Sequence, residues 1–297
     1  MSAMSVAVTG ASGFVGRALV PALRRSGHTV RTVGRSSSSD VRWDPRAGAL
    51  RAADLDGVDA VVHLAGASVS ERWTPEHKRE ILESRVKGTS LIATTIAAMP
   101  RKPRVLVSAS AIGIYGSRGD EWLLEDSTTG GDFLAEVGRA WESSADAARD
   151  AGIRVVHPRI GIVLSPDGGA LAKMLPAFRL GAGGPMGSGR QWMSWIALDD
   201  VIGAMQFALT AETLAGPVNA VAPSPVTNAA FGTALGAALH RPAIVPVPAF
   251  ALRLMFGEMA EATVLASQRV RETKLAGAGY AFRYPELDGA LRHLLPR

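Results

Sequence analysis

The chain has 297 residues, of which 47% are hydrophobic and 20% are charged, and its net charge is +5 at pH 7. This is enough apolar material for a large packed core, which excludes a disordered or low-complexity protein. There is no cysteine, so disulfides, thiolate-bound zinc and a cysteine nucleophile are excluded. The six histidines are dispersed along the chain, and we expect no metal site.

Charge and hydropathy also limit the partners. Basic and acidic residues are interleaved and no stretch carries five like charges, so the positive excess suits a phosphorylated small molecule better than a nucleic acid. No apolar run approaches the ~18 residues that cross a bilayer. We therefore predict a cytoplasmic protein that binds a small-molecule substrate and has no nucleic-acid or membrane partner. Whether the protein forms a homodimer is left open by the sequence.

Strand and helix signals alternate through the first half of the chain. Short apolar runs predict strands at 5–9, 28–33, 58–65, 104–109 and 153–164. Apolar residues at helical spacing predict helices at 14–26, 75–98 and 132–151. This alternation predicts an α/β fold, a Rossmann-type doubly wound parallel sheet with helices on both faces.

The pattern changes after about residue 165. Glycines cluster at 181–189, prolines recur through 223–248, and helical patterns follow at 249–256, 258–271 and 286–295. We predict one domain of residues 1–165 and 193–222, which contains the sheet. Residues 166–192 and 223–297 would form a smaller C-terminal domain beyond the carboxyl edge of that sheet.

Three glycines between the first strand and the first helix follow the pattern Gly-x-x-Gly-x-x-Gly. The first allows a tight turn, the second lets backbone amides approach a pyrophosphate, and the third permits close packing of helix on strand. Free amides at the helix N-terminus then bind the anion. The motif predicts a dinucleotide site built by Gly10, Ser12, Gly13, Phe14, Val15 and Gly16. The alternative is a tight turn without a ligand.

The end of the second strand indicates which dinucleotide binds. An NAD site places Asp or Glu there, on the ribose 2′-hydroxyl. This chain instead has Arg35 and Ser36 followed by three more serines, and its nearest acid is Asp40. A guanidinium beside hydroxyls suits a 2′-phosphate. We therefore predict NADP(H), bound through Arg35 and Ser36; the alternative is a solvated surface arginine.

Several motifs resemble the extended short-chain dehydrogenase/reductases, which include the nucleoside-diphosphate-sugar epimerases and dehydratases. Besides the glycine turn, they are Val61-Val-His-Leu-Ala-Gly66 and Leu106-Val-Ser-Ala-Ser-Ala-Ile-Gly-Ile-Tyr-Gly116. The segments similar to the atypical "epimerase family protein" branch are 71–74, 84–86, 133–136, 187–196, 241–242 and 257–259. The resemblance covers nearly the whole chain.

This resemblance implies a Rossmann-type domain, NADP binding and a C-terminal domain that closes over a substrate. Leu64, Ala65 and Gly66 would flank the adenine and ribose, with Arg85 as a further cofactor contact. Ser110 matches the family serine that hydrogen-bonds a substrate carbonyl.

The chain departs from the family at the proton relay. Active members use a Tyr-x-x-x-Lys pair on the helix after the serine strand, and this sequence contains no such pair. Alignment of the helix on Trp141-Glu142 puts Leu134 and Gly138 at the two positions. Tyr115 is the obvious alternative acid, and Arg85 or Arg159 could be the cation that a phenol needs to act near neutral pH.

Three functions stay open. The first is hydride transfer to or from a small carbonyl or alcohol, with the proton supplied by another group. The second is a non-catalytic NADP(H) sensor or scaffold. The third is a nucleotide-sugar epimerase, which needs a reliable base and usually retains NAD; Arg35 and the missing Tyr-Lys pair argue against it.

The segment 187–196 combines flexible glycines with Arg190, Gln191, Trp192 and Trp195. Tryptophans offer flat surfaces to a ring or an apolar ligand, so we predict that these four residues contact the substrate. The alternative is that the tryptophans join the two domains. His63, on an apolar strand, is expected in the core rather than on the cofactor.

Overall fold

A computed structural model gives the structure of residues 3–296; the outer limits of the predicted domains, residues 1 and 297, lie outside the described residues. The strands are β1 (Ser5–Thr9), β2 (Thr29–Gly34), β3 (Val41–Arg42), β4 (Ala60–His63), β5 (Val105–Ser108), β6 (Ser110–Ala111), β7 (Trp122–Leu123), β8 (Arg154–Ile160), β9 (Ile162–Ser165), β10 (Trp192–Met193), β11 (Trp195–Ala197), β12 (Gly216–Ala220), β13 (Val226–Thr227) and β14 (Arg269–Val270). The α-helices are α1 (Phe14–Arg25), α2 (Pro75–Ala97), α3 (Phe133–Ser143), α4 (Asp146–Asp150), α5 (Gly169–Arg179), α6 (Leu198–Thr210), α7 (Asn228–Leu239), α8 (Ala249–Phe256), α9 (Thr273–Gly277) and α10 (Leu287–Leu294). Between residues 3 and 296, no helix is both long and apolar enough to cross a membrane.

The central sheet is parallel and has the strand order β12-β8-β5-β4-β1-β2-β3, with β6 added on β8. β1 pairs with β2 on one side and with β4 on the other, so the order reverses at β1. Every residue of β4 and β5 is buried, as expected for strands covered on both faces. The predicted fold class is confirmed.

Helices cover both faces of this sheet. On one face, Leu19 and Leu23 of α1 and Met205 of α6 pack against alternate strand valines. On the other face, Ile92 and Ile96 of α2 pack against the remaining strand residues. The carboxyl edge of the sheet is left to loops, and this is the edge on which the predicted site residues lie.

A third hydrophobic cluster lies in the second half of the chain. It joins Leu171 and Phe178 of α5, Phe231 of α7 and Leu291 of α10 to the fully buried Trp195 of β11. α5 and α7 lie in stretches where glycines and prolines dominate the sequence pattern, and no helix was predicted for either stretch. The division of the chain into two domains stays a prediction.

Two predicted elements are interrupted. The helix at 132–151 is two helices, α3 and α4. The strand at 153–164 is also two, β8 and β9, and the break falls at Gly161. A Cβ on Gly161 would lie 2.5 Å from the carbonyl oxygen of Ser194, because the chain leaves the central sheet there to pair with β11.

The predicted helix at 258–271 is wrong. The segment forms one π-helical turn, Ala260–Val264, and then the strand β14. Hydrogen bonds to distant segments hold it extended: the amide of Ser267 donates to Ser117 (3.0 Å), and Gln268 donates to the carbonyl of Gly116 (3.1 Å). Local periodicity carries no information about such contacts.

Candidate functional site

The glycines of the turn between β1 and α1 lie where a side chain would be crowded. Gly10 has φ +66°, and a Cβ on it would lie 2.8 Å from the carbonyl carbon of Leu64. A Cβ on Gly13 would lie 3.1 Å from the carbonyl oxygen of Gly10, and a Cβ on Gly16 would overlap that oxygen. A ligand at this turn therefore meets backbone atoms, as the spacing of the glycines predicts.

α1 directs its N-terminus at the same turn. Gly13 caps the helix without a side-chain hydrogen bond, and the first turn contains no acidic residue. The amides of Phe14, Val15 and Gly16 come before Arg17, whose amide bonds to the carbonyl of Gly13, so they lack partners within the helix. Three free donors at a helix N-terminus are suited to holding an anion.

A cleft of about 1000 Å³ opens at the carboxyl edge of the sheet. Its lining includes most of the predicted cofactor residues, namely Gly10, Ser12, Gly13, Arg35, Ser36, Leu64, Ala65 and Gly66. Phe14, Val15, Gly16 and Arg85 lie outside the lining. The cleft adjoins β1, the point of strand reversal at which open α/β sheets bind ligands.

The rim of the cleft at the end of β2 offers donors rather than a carboxylate. Arg35 and Ser36 are exposed there. Asp40 lies outside the lining and accepts hydrogen bonds of 2.8 Å from the amide and the hydroxyl of Thr32. These two bonds lower the pKa of Asp40. The acid that follows Arg35 in the sequence is therefore occupied on β2, and the carboxylates that line the cleft come from α2: Glu76, Glu80 and Glu83.

Thr9 fixes the opposite side of the cleft. Its hydroxyl oxygen accepts the amides of Leu64 (3.1 Å) and Ala65 (3.3 Å) and lies 2.7 Å from Nδ1 of His63. His63 is completely buried, and burial, followed by the charge of Arg85, lowers its pKa to about 3. A neutral His63 thus helps to hold the loop 64–66, as expected for a core residue.

Arg85 lies behind this loop. Its Nη1 donates to the carbonyls of Ala67 (3.0 Å) and Ile81 (3.1 Å), and its guanidinium carbon is 4.8 Å from the ring centroid of Trp141. Burial lowers the pKa of Arg85 to about 10. A Cβ on Gly66 would lie 3.3 Å from the guanidinium carbon, so Arg85 places positive charge directly behind the cleft wall.

Ser110, Glu142 and Arg159 form a buried network. The Ser110 hydroxyl donates to Oε1 of Glu142 (2.7 Å), and Arg159 donates to both carboxylate oxygens through Nε and Nη2 (2.8 Å each). Ser110 is 2% exposed and Arg159 is 5% exposed. Burial alone would raise the pKa of Glu142, but the hydrogen bonds and charge of Arg159 lower it. Glu142 is therefore an anion at neutral pH.

Tyr115 lies deeper in the same network. Its side chain is fully buried, its hydroxyl donates to Asn219 (2.7 Å), and it accepts a hydrogen bond from Arg159 (2.9 Å). Burial raises the pKa of Tyr115. Arg159 is the cation beside the phenol, whereas Arg85 is bound elsewhere. The phenol proton is donated to Asn219 and its oxygen already accepts from Arg159, so this geometry does not support Tyr115 as the acid.

α3 packs too closely to carry the missing Tyr-Lys pair. A Cβ on Gly138 would lie 2.8 Å from Cβ of Ile114, and a Cβ on Gly113 would lie 3.3 Å from Cβ of Leu134. A lysine at position 138 would need α3 to move away from the turn Ile112–Tyr115. Another group must therefore move the proton if the site performs hydride transfer.

Two of the predicted substrate residues are interior. Trp195 is fully buried, and its Nε1 donates to the carbonyl of Ser224 (2.9 Å). Gln191 is 7% exposed and donates to the carbonyls of Met186 (2.9 Å) and Val264 (3.2 Å). Both side chains connect parts of the protein, so the structure does not support them as substrate contacts.

Trp192 and Arg190 lie nearer the surface. The Nε1 of Trp192 donates to Asp120 (2.8 Å), and the Arg269 guanidinium lies between the rings of Trp192 and Trp122, 4.1 and 4.0 Å from their centroids. Trp192 thus also joins segments, as the alternative proposed. Arg190 is exposed, and its predicted contact with substrate stays a prediction.

Comparison with known proteins identifies the family. The model of the NAD dependent epimerase/dehydratase family matches residues 6–220, and a domain of unknown function, DUF1731, matches residues 247–294. The chain belongs to the NAD-dependent epimerase/dehydratase family. Its relatives in this family include an epimerase family protein of Mycobacterium tuberculosis, 40% identical over 98% of each chain. Another is the Arabidopsis thaliana "epimerase family protein SDR39U1 homolog, chloroplastic", 43% identical over 99% of this chain and 87% of the relative.

Solved structures agree with this family assignment. Human epimerase family protein SDR39U1, crystallised with NADPH, is 36% identical and has a TM-score of 0.92 over 98% of this chain and 99% of the human one. The nucleoside-diphosphate sugar epimerase of Corynebacterium glutamicum is 40% identical, with a TM-score of 0.82 over 99% of this chain and 58% of its own. The resemblance to the "epimerase family protein" branch is confirmed.

Sequence reasoning missed two polar residues of the buried network, Glu142 and Asn219, and the polar residues that α2 adds to the cleft lining, which are Glu76, Arg79, Glu80, Glu83, Ser84 and Lys87. Asn219 lies between buried apolar residues of β12, and because a buried polar side chain needs a partner, that mismatch was a usable signal. α3 also contains the exposed polar residues Glu136, Arg139 and Ser143, so nothing in its pattern distinguishes Glu142. What the sequence could not reveal is that Glu142 bonds to Ser110 and Asn219 to Tyr115.

Proposed function

We propose that this protein binds NADP(H) and transfers a hydride to or from a small carbonyl or alcohol. The observation that carries the proposal is the rim at the end of β2, where Arg35 and Ser36 line the cleft while Asp40 is bound to Thr32. At the end of β2 a 2′-phosphate would meet a cation and hydroxyls, whereas Asp40, the acid at the place where an NAD site has its carboxylate, is bound to Thr32. The human relative crystallised with NADPH supports the same choice.

The residues present fit such a dinucleotide. The turn has no space for a Cβ at Gly10 or Gly16, and the free amides of α1 suit a diphosphate. Leu64, Ala65 and Gly66 would bound the adenosine side of the cleft. When bound, the nicotinamide supplies or accepts the hydride.

The protein must provide a dry site beside the hydride. The amide of Ala109 donates to the carbonyl of His63 (2.9 Å), which brings Ser110 next to the loop 64–66. Ser110 is almost completely enclosed, so a substrate that contacts it is shielded from water. Exclusion of water strengthens the electrostatic interactions made there.

Cofactor titration tests the first half of the proposal. NADPH should bind more tightly than NADH, and Arg35→Ala should remove most of that difference, because one charge-assisted pair with the 2′-phosphate is lost. Arg42→Ala is the matched control, since Arg42 is exposed on β3 outside the cleft lining. Equal affinity of the wild type for both dinucleotides would defeat the cofactor assignment.

Stopped-flow measurement of nicotinamide absorbance tests the second half. Carbonyls are screened with NADPH and alcohols with NADP+. The buried Tyr115 and the tight packing at Gly138 favour the second candidate, a non-catalytic NADP(H) sensor. Tight NADPH binding with no turnover in either direction would support that candidate against hydride transfer.

A further inference from the structure

We propose that Ser110 and Glu142 are the proton-transfer pair of this site, in place of the absent tyrosine and lysine, and that Ser110 accepts a substrate hydroxyl. The proposal rests on the hydride transfer proposed above and identifies the substrate as an alcohol that is oxidised. It differs from the role implied for Ser110 by the family, in which the serine donates to a carbonyl.

The direction of one hydrogen bond carries the inference. Arg159 donates to both carboxylate oxygens of Glu142 at 2.8 Å, and an ionised carboxylate can only accept hydrogen bonds. Ser110, 2.7 Å from Oε1, must therefore donate its single proton to Glu142. Its Oγ then has only lone pairs to offer, and these accept from a hydroxyl and repel a carbonyl oxygen.

Position supports the same pair. Ser110 begins β6 immediately beyond Ala109, whose amide bonds to the carbonyl of His63 at the start of the cleft wall 64–66. Tyr115, the other candidate, is enclosed by Asn219 and Arg159. Of the two hydroxyls predicted to be catalytic, Ser110 is the one next to the cofactor loop.

The transfer balances without a further reactant. The hydride leaves the carbinol carbon for the oxidised dinucleotide as its C–H bond breaks. The substrate O–H proton passes to Oγ of Ser110 while the original Ser110 proton passes to Oε1 of Glu142. The products are a carbonyl compound, the reduced dinucleotide and a neutral Glu142. Glu142 then releases its proton to solvent, or returns it through Ser110 to the substrate in the reverse reaction.

The groups around Glu142 determine the direction at neutral pH. From β8, Arg159 pairs with the carboxylate, and the buried, neutral His157 also faces it. From β6, Ser110 donates to it, and Tyr115 acts on it only through Arg159. Because these contacts keep Glu142 ionised, the pair is ready to accept a proton. Alcohol oxidation is therefore favoured near neutral pH, and carbonyl reduction should accelerate as the pH falls.

The experiment compares two buried carboxylates in the full-length protein. Glu142→Gln should slow hydride transfer from alcohols to NADP+ at least 100-fold, as expected for loss of a general base, with NADPH affinity unchanged. Glu125→Gln is the control: Glu125 is 6% exposed and accepts from the amides of Asn219 and Lys274 but makes no bond to Ser110. It should stay within about threefold of the wild-type rate. A Glu142→Gln rate equal to that of the control would overturn the proposal.

A second readout does not depend on turnover. Carboxyl ¹³C NMR of the wild type and of Ser110→Ala gives the pKa of Glu142, which should rise in the variant because a hydrogen bond to the charged form is lost. An unchanged pKa would mean that Ser110 does not donate to Glu142, and the proposal would fail. A wild type that transfers no hydride while the pKa does shift would instead defeat the proposed function, and the catalytic role of the pair with it.

Discussion

The hydroxyl of Thr9, the last residue of β1, lies 2.7 Å from Nδ1 of His63, the last residue of β4. Because the same oxygen accepts the amides of Leu64 and Ala65, its own proton is directed to Nδ1. This requires a neutral ring that carries its proton on Nε2. The backbone pairing of β1 with β4 is therefore reinforced by a side-chain bond that survives only while His63 is uncharged.

This bond makes stability depend on pH. The pKa of His63 is about 3 in the folded protein against 6.5 for a free histidine, so the unfolded chain takes up the proton first as the pH falls. Stability is complete above pH 6.5 and should fall by about 1.4 kcal/mol per pH unit below it, or about 2 kcal/mol from pH 6.5 to 5. Urea unfolding of the wild type and of His63→Gln at several pH values measures this loss of unfolding free energy.

The variant should have the flatter profile. His240→Asn is the control, because His240 is exposed and its φ of +53° is one that asparagine tolerates. A drop as steep in His63→Gln as in the wild type would show that the acid sensitivity arises elsewhere, with the buried His157 as the next residue to test.

An added methyl group should destabilise the protein at one helical glycine and stabilise it at another. Gly16→Ala would force a Cβ into the carbonyl oxygen of Gly10, whereas Gly289→Ala in α10 would meet nothing within 4 Å. We expect Gly16→Ala to lose about 1–3 kcal/mol of unfolding free energy and most of its NADPH affinity. Gly289→Ala should gain up to about 1 kcal/mol. Thermal unfolding and cofactor titration measure both, and a Gly16→Ala protein with normal affinity would contradict the tight-turn account.

Restoring the family's lysine should not restore its chemistry. Gly138→Lys pushes a side chain against Ile114, where even a Cβ would be 2.8 Å away, so we expect a loss of about 1–3 kcal/mol in unfolding free energy and no gain in hydride transfer, with or without Leu134→Tyr. Gly131→Lys is the matched control, since nothing lies within 4 Å of a Cβ there. Faster turnover in the double variant would be the contrary result.

Substitution of Trp195 should lower the stability of the fold and leave substrate binding unchanged. Trp195→Phe removes the hydrogen bond to the carbonyl of Ser224 and part of a fully buried side chain, which should cost about 1–3 kcal/mol of unfolding free energy. KM for any substrate found should stay unchanged. Denaturant unfolding and steady-state kinetics decide between the two roles, and a raised KM with normal stability would favour the substrate contact.

The sequence allowed one part of the cleft lining to be predicted, namely the part that follows the ends of β1, β2 and β4, but not the part that α2 supplies. The residues that build the predicted part, from Gly10 to Gly13, at Arg35 and at Leu64–Gly66, follow strand ends directly. In a parallel sheet, the carboxyl ends of neighbouring strands meet at one edge. The chemical side was predicted poorly, because Ser110, Glu142 and Arg159 come from β6, α3 and β8 and no local pattern connects them.

Sequence alone determined the parallel sheet, the tight glycine turn after β1 and the absence of a Tyr-Lys pair, because each depends on residue type at fixed local spacing. Tertiary structure alone decided that Tyr115 and Trp195 are interior, that Asp40 is bound to Thr32, and that the Ser110 hydroxyl is directed at Glu142. Burial and hydrogen-bond direction depend on which elements pack together, and packing joins residues far apart in the chain.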